Sequence, residues 1–127
     1  MKTKLDNLRL TDKSKDLLAK LKRSTALEHW NEICRIAFAL SIRDRSLPPP
    51  AAEGGKKGIE MTWKTFAGEY AEAYAGLLTC RHLVDSKKNK ELSVEESLKR
   101  HVHRGLGILD AALSPKNNGS IFSLFGR

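Results

Sequence analysis

The sequence predicts a mainly α-helical fold: a compact four-helix domain preceded by a short extended segment. Three observations predict it. Apolar residues recur three and four apart through four long stretches. A Ser-x-x-Glu capping box opens the last of them at Ser93 and Glu96. The one strong interruption, residues 46–58, is rich in proline and glycine. A length of 127 residues suits one domain with a modest core. The expected organisation is a helical domain over residues 1–114, a flexible Pro/Gly loop at 46–58, and a tail over 115–127.

Asn7–Leu10 alternates polar and apolar residues, the period of a very short strand. Thr11 or Asp12 then caps a first helix running to about Ala26. Its Ser14, Leu17, Leu18, Leu21 and Thr25 share one side, and Lys15, Lys20, Lys22 and Arg23 project from the other with Asp12 and Asp16. The second helix spans roughly Glu28–Arg43, with His29 or Asn31 near its start. Only Glu32 and Arg35 interrupt its apolar interior. Apolar groups nearly all the way round predict a helix wrapped on most sides. A domain this small has little with which to wrap it, so the pattern predicts an oligomer.

Three successive prolines, Pro48–Pro50, cannot continue a helix, and Gly54, Gly55 and Gly58 favour a mobile surface loop carrying Lys56 and Lys57. A third helix is expected from near Thr62 to about Val84. Its stripe of Trp63, Phe66, Tyr70, Tyr74, Leu77, Leu78 and Arg81 has strict helical spacing, which marks core more readily than base stacking. The fourth helix places Leu98, Val102, Gly105, Leu106, Leu109, Ala112 and Leu113 on one face and stops at Pro115.

The formal charge is +8 and the isoelectric point near 9.7, which favours anionic partners and says nothing about fold. The excess is densest early. Residues 1–45 carry 11 Lys and Arg against 6 Asp and Glu. Lysines on an exposed helix face neutralise phosphates without reading sequence. Lys13, Lys15, Lys20, Lys22 and Arg23, with Arg43 and Arg45 nearby, are therefore the candidate residues for binding a polyanion; that this polyanion is DNA is what the chain's family resemblance implies. Arg9, Lys56 and Lys57 add to the charge around them.

Other chemistry is poorly supported. His101 and His103 are two apart on a helix and diverge by about 200°, as do Cys80 and His82, so neither pair can share a metal. Glu69 and Glu72 read as solvated surface. There is no phosphate-binding glycine loop, no nucleophile elbow and no paired catalytic carboxylates. No catalytic residue, metal or cofactor is expected. Cys34 and Cys80 read as small core residues in a reducing compartment. A polar N-terminus and the lack of an 18–20-residue apolar run argue against a signal peptide or membrane span, so a cytoplasmic protein is expected.

Three blocks carry a resemblance: LRLTDKSKDLLAKLKRSTALEHWNEICRIAFALSI, then TWKTFAGEYAEAYAGLL, then LKRHVHRGLGIL. In this order, over roughly Leu8–Leu109, the chain resembles the DndE family, the small subunit of the bacterial DNA phosphorothioation (Dnd) system. There, sulfur replaces a non-bridging phosphate oxygen. The resemblance implies a topology related to ribbon-helix-helix proteins, a homotetramer, and binding of duplex DNA, preferably nicked, through surface lysines. It also implies partner proteins that supply the chemistry: a cysteine desulfurase, an iron–sulfur reductase-like protein and an SMC-like ATPase. Pro48–Gly58 looks like a variable insertion, so Lys56 and Lys57 are not carried over. The tail after Pro115 lies outside the resemblance.

Two other classes compete. A ribbon-helix-helix regulator would read a palindromic site with Asn7 and Arg9, only two readers on a short strand. A pure interaction protein would use its basic charge on an acidic partner and ignore DNA at physiological salt.

Overall fold

A computed structural model of the chain describes residues 7–51 and 58–113. In chain order it contains β1 (Asn7–Leu10), α1 (Asp12–Thr25), α2 (Trp30–Arg43), β2 (Ile59–Thr62), α3 (Trp63–Ala67), a 3-10 turn (Gly68–Tyr70), α4 (Ala71–Lys88) and α5 (Val94–Ala112). The fold is mainly helical, with one small two-stranded sheet.

The predicted N-caps form, although of the expected Ser93–Glu96 box only the Ser93 half is made. Thr11 Oγ1 accepts from the backbone N–H of Ser14 at 3.2 Å and starts α1. Ser93 Oγ accepts from the Glu96 N–H at 3.0 Å and starts α5. The Glu96 carboxylate takes Arg100 at 2.9 Å, one helical turn on. α1 ends where Ala26 turns left-handed at φ 60°, a position that glycine occupies at lower cost.

β1 and β2 run antiparallel, with Leu8 opposite Met61 and Leu10 opposite Ile59. Leu8, Leu10 and Met61 face the core, while Asn7, Arg9, Glu60 and Thr62 face outward. Asn7 Nδ2 donates to Glu60 Oε1 at 2.6 Å. A ribbon-helix-helix ribbon joins strands of two subunits, but here β1 finds its partner inside the chain. β2 was not expected. It is four residues long, and its partner lies some fifty residues away, beyond the reach of local periodicity.

α2 is the centre of the core, packed most extensively on α5 and also on α1 and α3. Its Ile33, Cys34, Ala37, Phe38 and Leu40 are buried in one cluster with Leu18, Leu21, Phe66, Leu78, Leu98, Val102, Leu106 and Leu109. Gly105 allows the closest approach. A Cβ there would sit inside the van der Waals radius of the Ala37 carbonyl oxygen. The chain's own elements therefore cover much of α2, while Trp30, Ile36, Ala39 and Ile42 stay partly exposed.

The expected third helix is divided in two by a 3-10 turn. Gly68 has φ 60° and ψ −140°, a backbone conformation that side chains with a Cβ avoid. A Cβ would also meet the Arg35 guanidinium at 2.8 Å, and that guanidinium donates to the Phe66 carbonyl at 3.2 Å. Phe66 and Tyr74 pack edge-on against Phe38, with ring centroids 6.1 Å away in each case, and Trp63 leans on Phe66. Tyr70 and Leu77 depart from the predicted stripe, being 60% and 47% exposed. Of the expected loop and tail, residues 52–57 and 114–127 lie outside the described residues.

Candidate nucleic-acid interface

The cations of α1 follow helical geometry. Residues seven apart stack two turns on, and residues two apart diverge by about 200°. Lys13 and Lys20 therefore line one flank of α1, while Lys15 and Lys22 line the other. Between them, on the outermost ridge, stand Asp12, Asp16 and Arg23. The apolar face with Ser14, Leu18 and Leu21 is turned into the core. Lys13, Lys20, Lys22 and Arg23 are exposed, and Lys15 is half-buried. The single basic face expected from sequence is thus two rows separated by carboxylates. Lys20 Nζ is also engaged by Asp110 of α5 at 2.9 Å.

Lys22 stands between two adjoining shallow grooves. One runs along Ala19, Arg23, Ala26, Leu27 and Glu28. The other reaches His29, Asn31 and the outer edge of β2. Trp30 forms a wall of both.

Arg43 and Arg45 lie at the carboxyl end of α2, both exposed. A buried clamp fixes this end. Arg81 of α4 donates to the carbonyls of Ile42 at 3.2 Å and Ser46 at 2.6 Å. Arg104 of α5 donates to the carbonyls of Ser41, Asp44 and Ser46 at 2.8, 3.1 and 2.9 Å. The last carbonyls of a helix have no intrahelical donor, and two guanidiniums satisfy them while opposing the negative end of the helix dipole. Asp44, accepting the Ser46 backbone N–H and hydroxyl, is held below the usual carboxylate range.

Beneath the clamp lies an arrangement that sequence reasoning missed. His101 bridges Ser41 and Asp85, with Nδ1 2.7 Å from Ser41 Oγ and Nε2 2.7 Å from Asp85 Oδ2. Arg81 Nε meets the other Asp85 oxygen at 3.0 Å, and Arg104 Nε donates to Ser41 Oγ at 2.8 Å. The residue types are those of a hydrolytic triad, but the chemistry is not. Ser41, Asp85 and His101 are fully buried, and the Ser41 oxygen already accepts from Arg104. Burial is the main force pushing His101 below its ordinary value, helped by the two arginines and opposed by Asp85. A neutral ring satisfies every partner, donating from Nε2 to Asp85 and accepting the Ser41 hydroxyl at Nδ1. The trio holds the clamp in place. Its members and the two arginines sit on three helices at sequence separations up to 63, so no local motif announces them.

Cys34 is buried and its thiol is pushed up to about 12, which removes it as a nucleophile, while Cys80 is exposed on α4. Among the described residues no three His, Cys, Asp or Glu side chains are grouped to hold a metal. No helix there is long and apolar enough to cross a membrane.

Residues 7–117 match the family described as DNA sulphur modification protein DndE. The chain belongs to the DndE family. The match covers most of the chain and runs slightly beyond both ends of the resemblance seen in the sequence blocks. No curated protein was found to match it. Membership gives the chain a role in DNA sulfur modification and an association with the Dnd system.

Proposed function

We propose that this DndE-family chain is a non-catalytic, DNA-binding subunit of the phosphorothioation machinery. It binds duplex DNA, nicked duplex in preference, through the lysine-rich surface of a cytoplasmic homo-oligomer, in the resemblance a homotetramer. Its Dnd partners supply the sulfur chemistry. The observation that carries this reading is the set of exposed cations on α1 and at the end of α2, in a chain of this family. Side chains of this kind pair with phosphates, so affinity is indifferent to sequence and falls with salt. A nick lowers the cost of bending the duplex onto a rigid protein surface.

The alternative of a palindrome-reading regulator has less behind it. Asn7, one of its two candidate readers, spends its side-chain amide on Glu60, and Arg9 lies across the sheet from that same carboxylate.

An electrophoretic shift assay on intact and nicked duplexes of one sequence tests the proposal. Replacing Lys13, Lys15, Lys22 and Arg23 together with Ala should weaken binding at least about tenfold. For every phosphate that the variant no longer neutralises, the log–log salt dependence should also become shallower by about 0.9. An unchanged salt slope in the quadruple variant removes α1 from the interface. Equal affinity of the wild-type chain for intact and nicked duplex removes the nick preference.

A further inference from the structure

α4 has two apolar faces, and the chain covers only one. Tyr74, Leu78, Arg81 and Asp85 point inward to the core and the clamp. His82 approaches Ser97 of α5 at 3.3 Å. On the remaining side Tyr70, Leu77, Leu83 and Val84 are 60, 47, 55 and 49% exposed, the largest apolar side chains left open among the described residues. Monomeric proteins rarely leave so continuous an apolar strip in water.

The spacing of the strip is regular. Ala73, Leu77, Cys80 and Val84 alternate four and three apart along α4, the a/d seam of a helix that packs against another helix, and Tyr70 of the 3-10 turn stands three residues ahead of Ala73. Gly76 and Leu83 flank the seam on its exposed edge. Nothing lies within 4 Å of where a Gly76 Cβ would be, so the chain itself gives that glycine no close neighbour. Charge is polarised along the same edge. Exposed Glu72, with exposed Glu69 in the turn before it, stands at the amino end of α4, and exposed Lys87, with exposed Lys90 just past the helix, at the carboxyl end.

We propose that this face of α4 is a self-association surface, on which a second copy of the chain docks antiparallel about a two-fold axis crossing between Leu78 and Thr79. That register is the one in which the pattern complements itself. Leu77 of one copy meets Cys80 of the other, Ala73 meets Val84, and small Gly76 lies beside large Leu83. The acidic end of each helix lies along the basic end of its partner. A parallel pair would set like charges together, so charge selects the antiparallel one. Small residues at Ala73 and Gly76 let the helices approach closely. This inference deepens the oligomer in the function proposed above and assigns it to α4 in place of α2. It is independent of whether the assembly binds DNA.

Sedimentation velocity of the full chain without DNA, over a range of concentrations, tests it. The wild-type chain should self-associate. Leu77→Glu with Val84→Glu should shift it to a smaller species and raise the dissociation constant at least tenfold, with helix content by circular dichroism unchanged. Glu69→Lys with Glu72→Lys, and separately Lys87→Glu with Lys90→Glu, should each weaken association, and the combined four-fold exchange should restore it. A wild-type chain that stays monomeric, or an apolar-to-Glu variant with wild-type mass, overturns the surface. Failure of the combined exchange to recover association overturns the antiparallel arrangement. DNA binding that persists in a monomer would leave the DNA reading standing while this one falls.

Discussion

Asp110 stands 2.9 Å from Lys20, and both groups are partly exposed. A surface ion pair of this kind is worth about 1 kcal/mol or less, so it matters little to stability. It matters more to a phosphate, because it withholds one cation of the Lys13–Lys20 row and adds a repelling carboxylate beside it. Asp110→Asn should therefore leave the unfolding midpoint nearly unchanged and tighten DNA binding by about twofold to fivefold at low salt. The gain should shrink when Lys20 is also replaced by Ala, leaving only the relief of carboxylate repulsion. If Asp110→Asn leaves the shift assay unaltered, the working row is the opposite one, Lys15 and Lys22. The basic residues were legible one by one in the sequence. Their division into two flanks follows from spacing as well, once the positions are set on a wheel. The engagement of Lys20 did not, because Asp110 is ninety residues away.

Among the elements, α2 and α5 carry the core, and their packing turns on Gly105. A methyl group there collides with the Ala37 backbone, which cannot swing aside as a side chain can. Gly105→Ala should lower stability by about 3 kcal/mol, the upper part of the range for overpacking a tight core. Gly107→Ala, on the same helix and with nothing within 4 Å of its Cβ, should raise it by about 0.5–1 kcal/mol through helix propensity. Urea unfolding midpoints of the two variants check both signs, and equal effects would mean that the helices separate easily at this point. The helices themselves were readable because amphipathic spacing and Thr11 and Ser93 caps are local signals. β2 and the break at Gly68 were not. The first depends on a partner strand distant in sequence, and the second on a backbone conformation and an Arg35 contact that no spacing rule encodes. The all-round apolar character of α2 does signal deep burial. Much of its cover comes from within the chain, from α5, α3 and α1.

At the scale of the whole molecule, the clamp ties α2, α4 and α5 through one histidine, and this makes global stability sensitive to pH. His101 is held below its ordinary value chiefly by burial. His103 is also held low by burial, although its Nδ1 donates to the Lys99 carbonyl at 2.7 Å. Its Nε2 is buried without a partner among the described residues, so a proton there would be unsatisfied. In the unfolded chain both rings titrate near pH 6.5. Above that pH neither state binds these protons, and the native state keeps its full stability. Below it the unfolded chain takes up protons that the folded chain refuses, so stability falls until the lower native values are reached. Asp44, also held low, extends the loss further into acid. The expected result is a flat unfolding free energy from pH 8 to about 7, then a decline below 6.5 that cannot exceed about 1.4 kcal/mol per pH unit for each histidine. His101→Gln should lower stability at pH 8, because Ser41 and Asp85 lose a well-fitted bridge, and should flatten the decline. A variant as steep as the wild type would show that Asp85 offsets burial and the two arginines, leaving His101 no different in the fold from the unfolded chain.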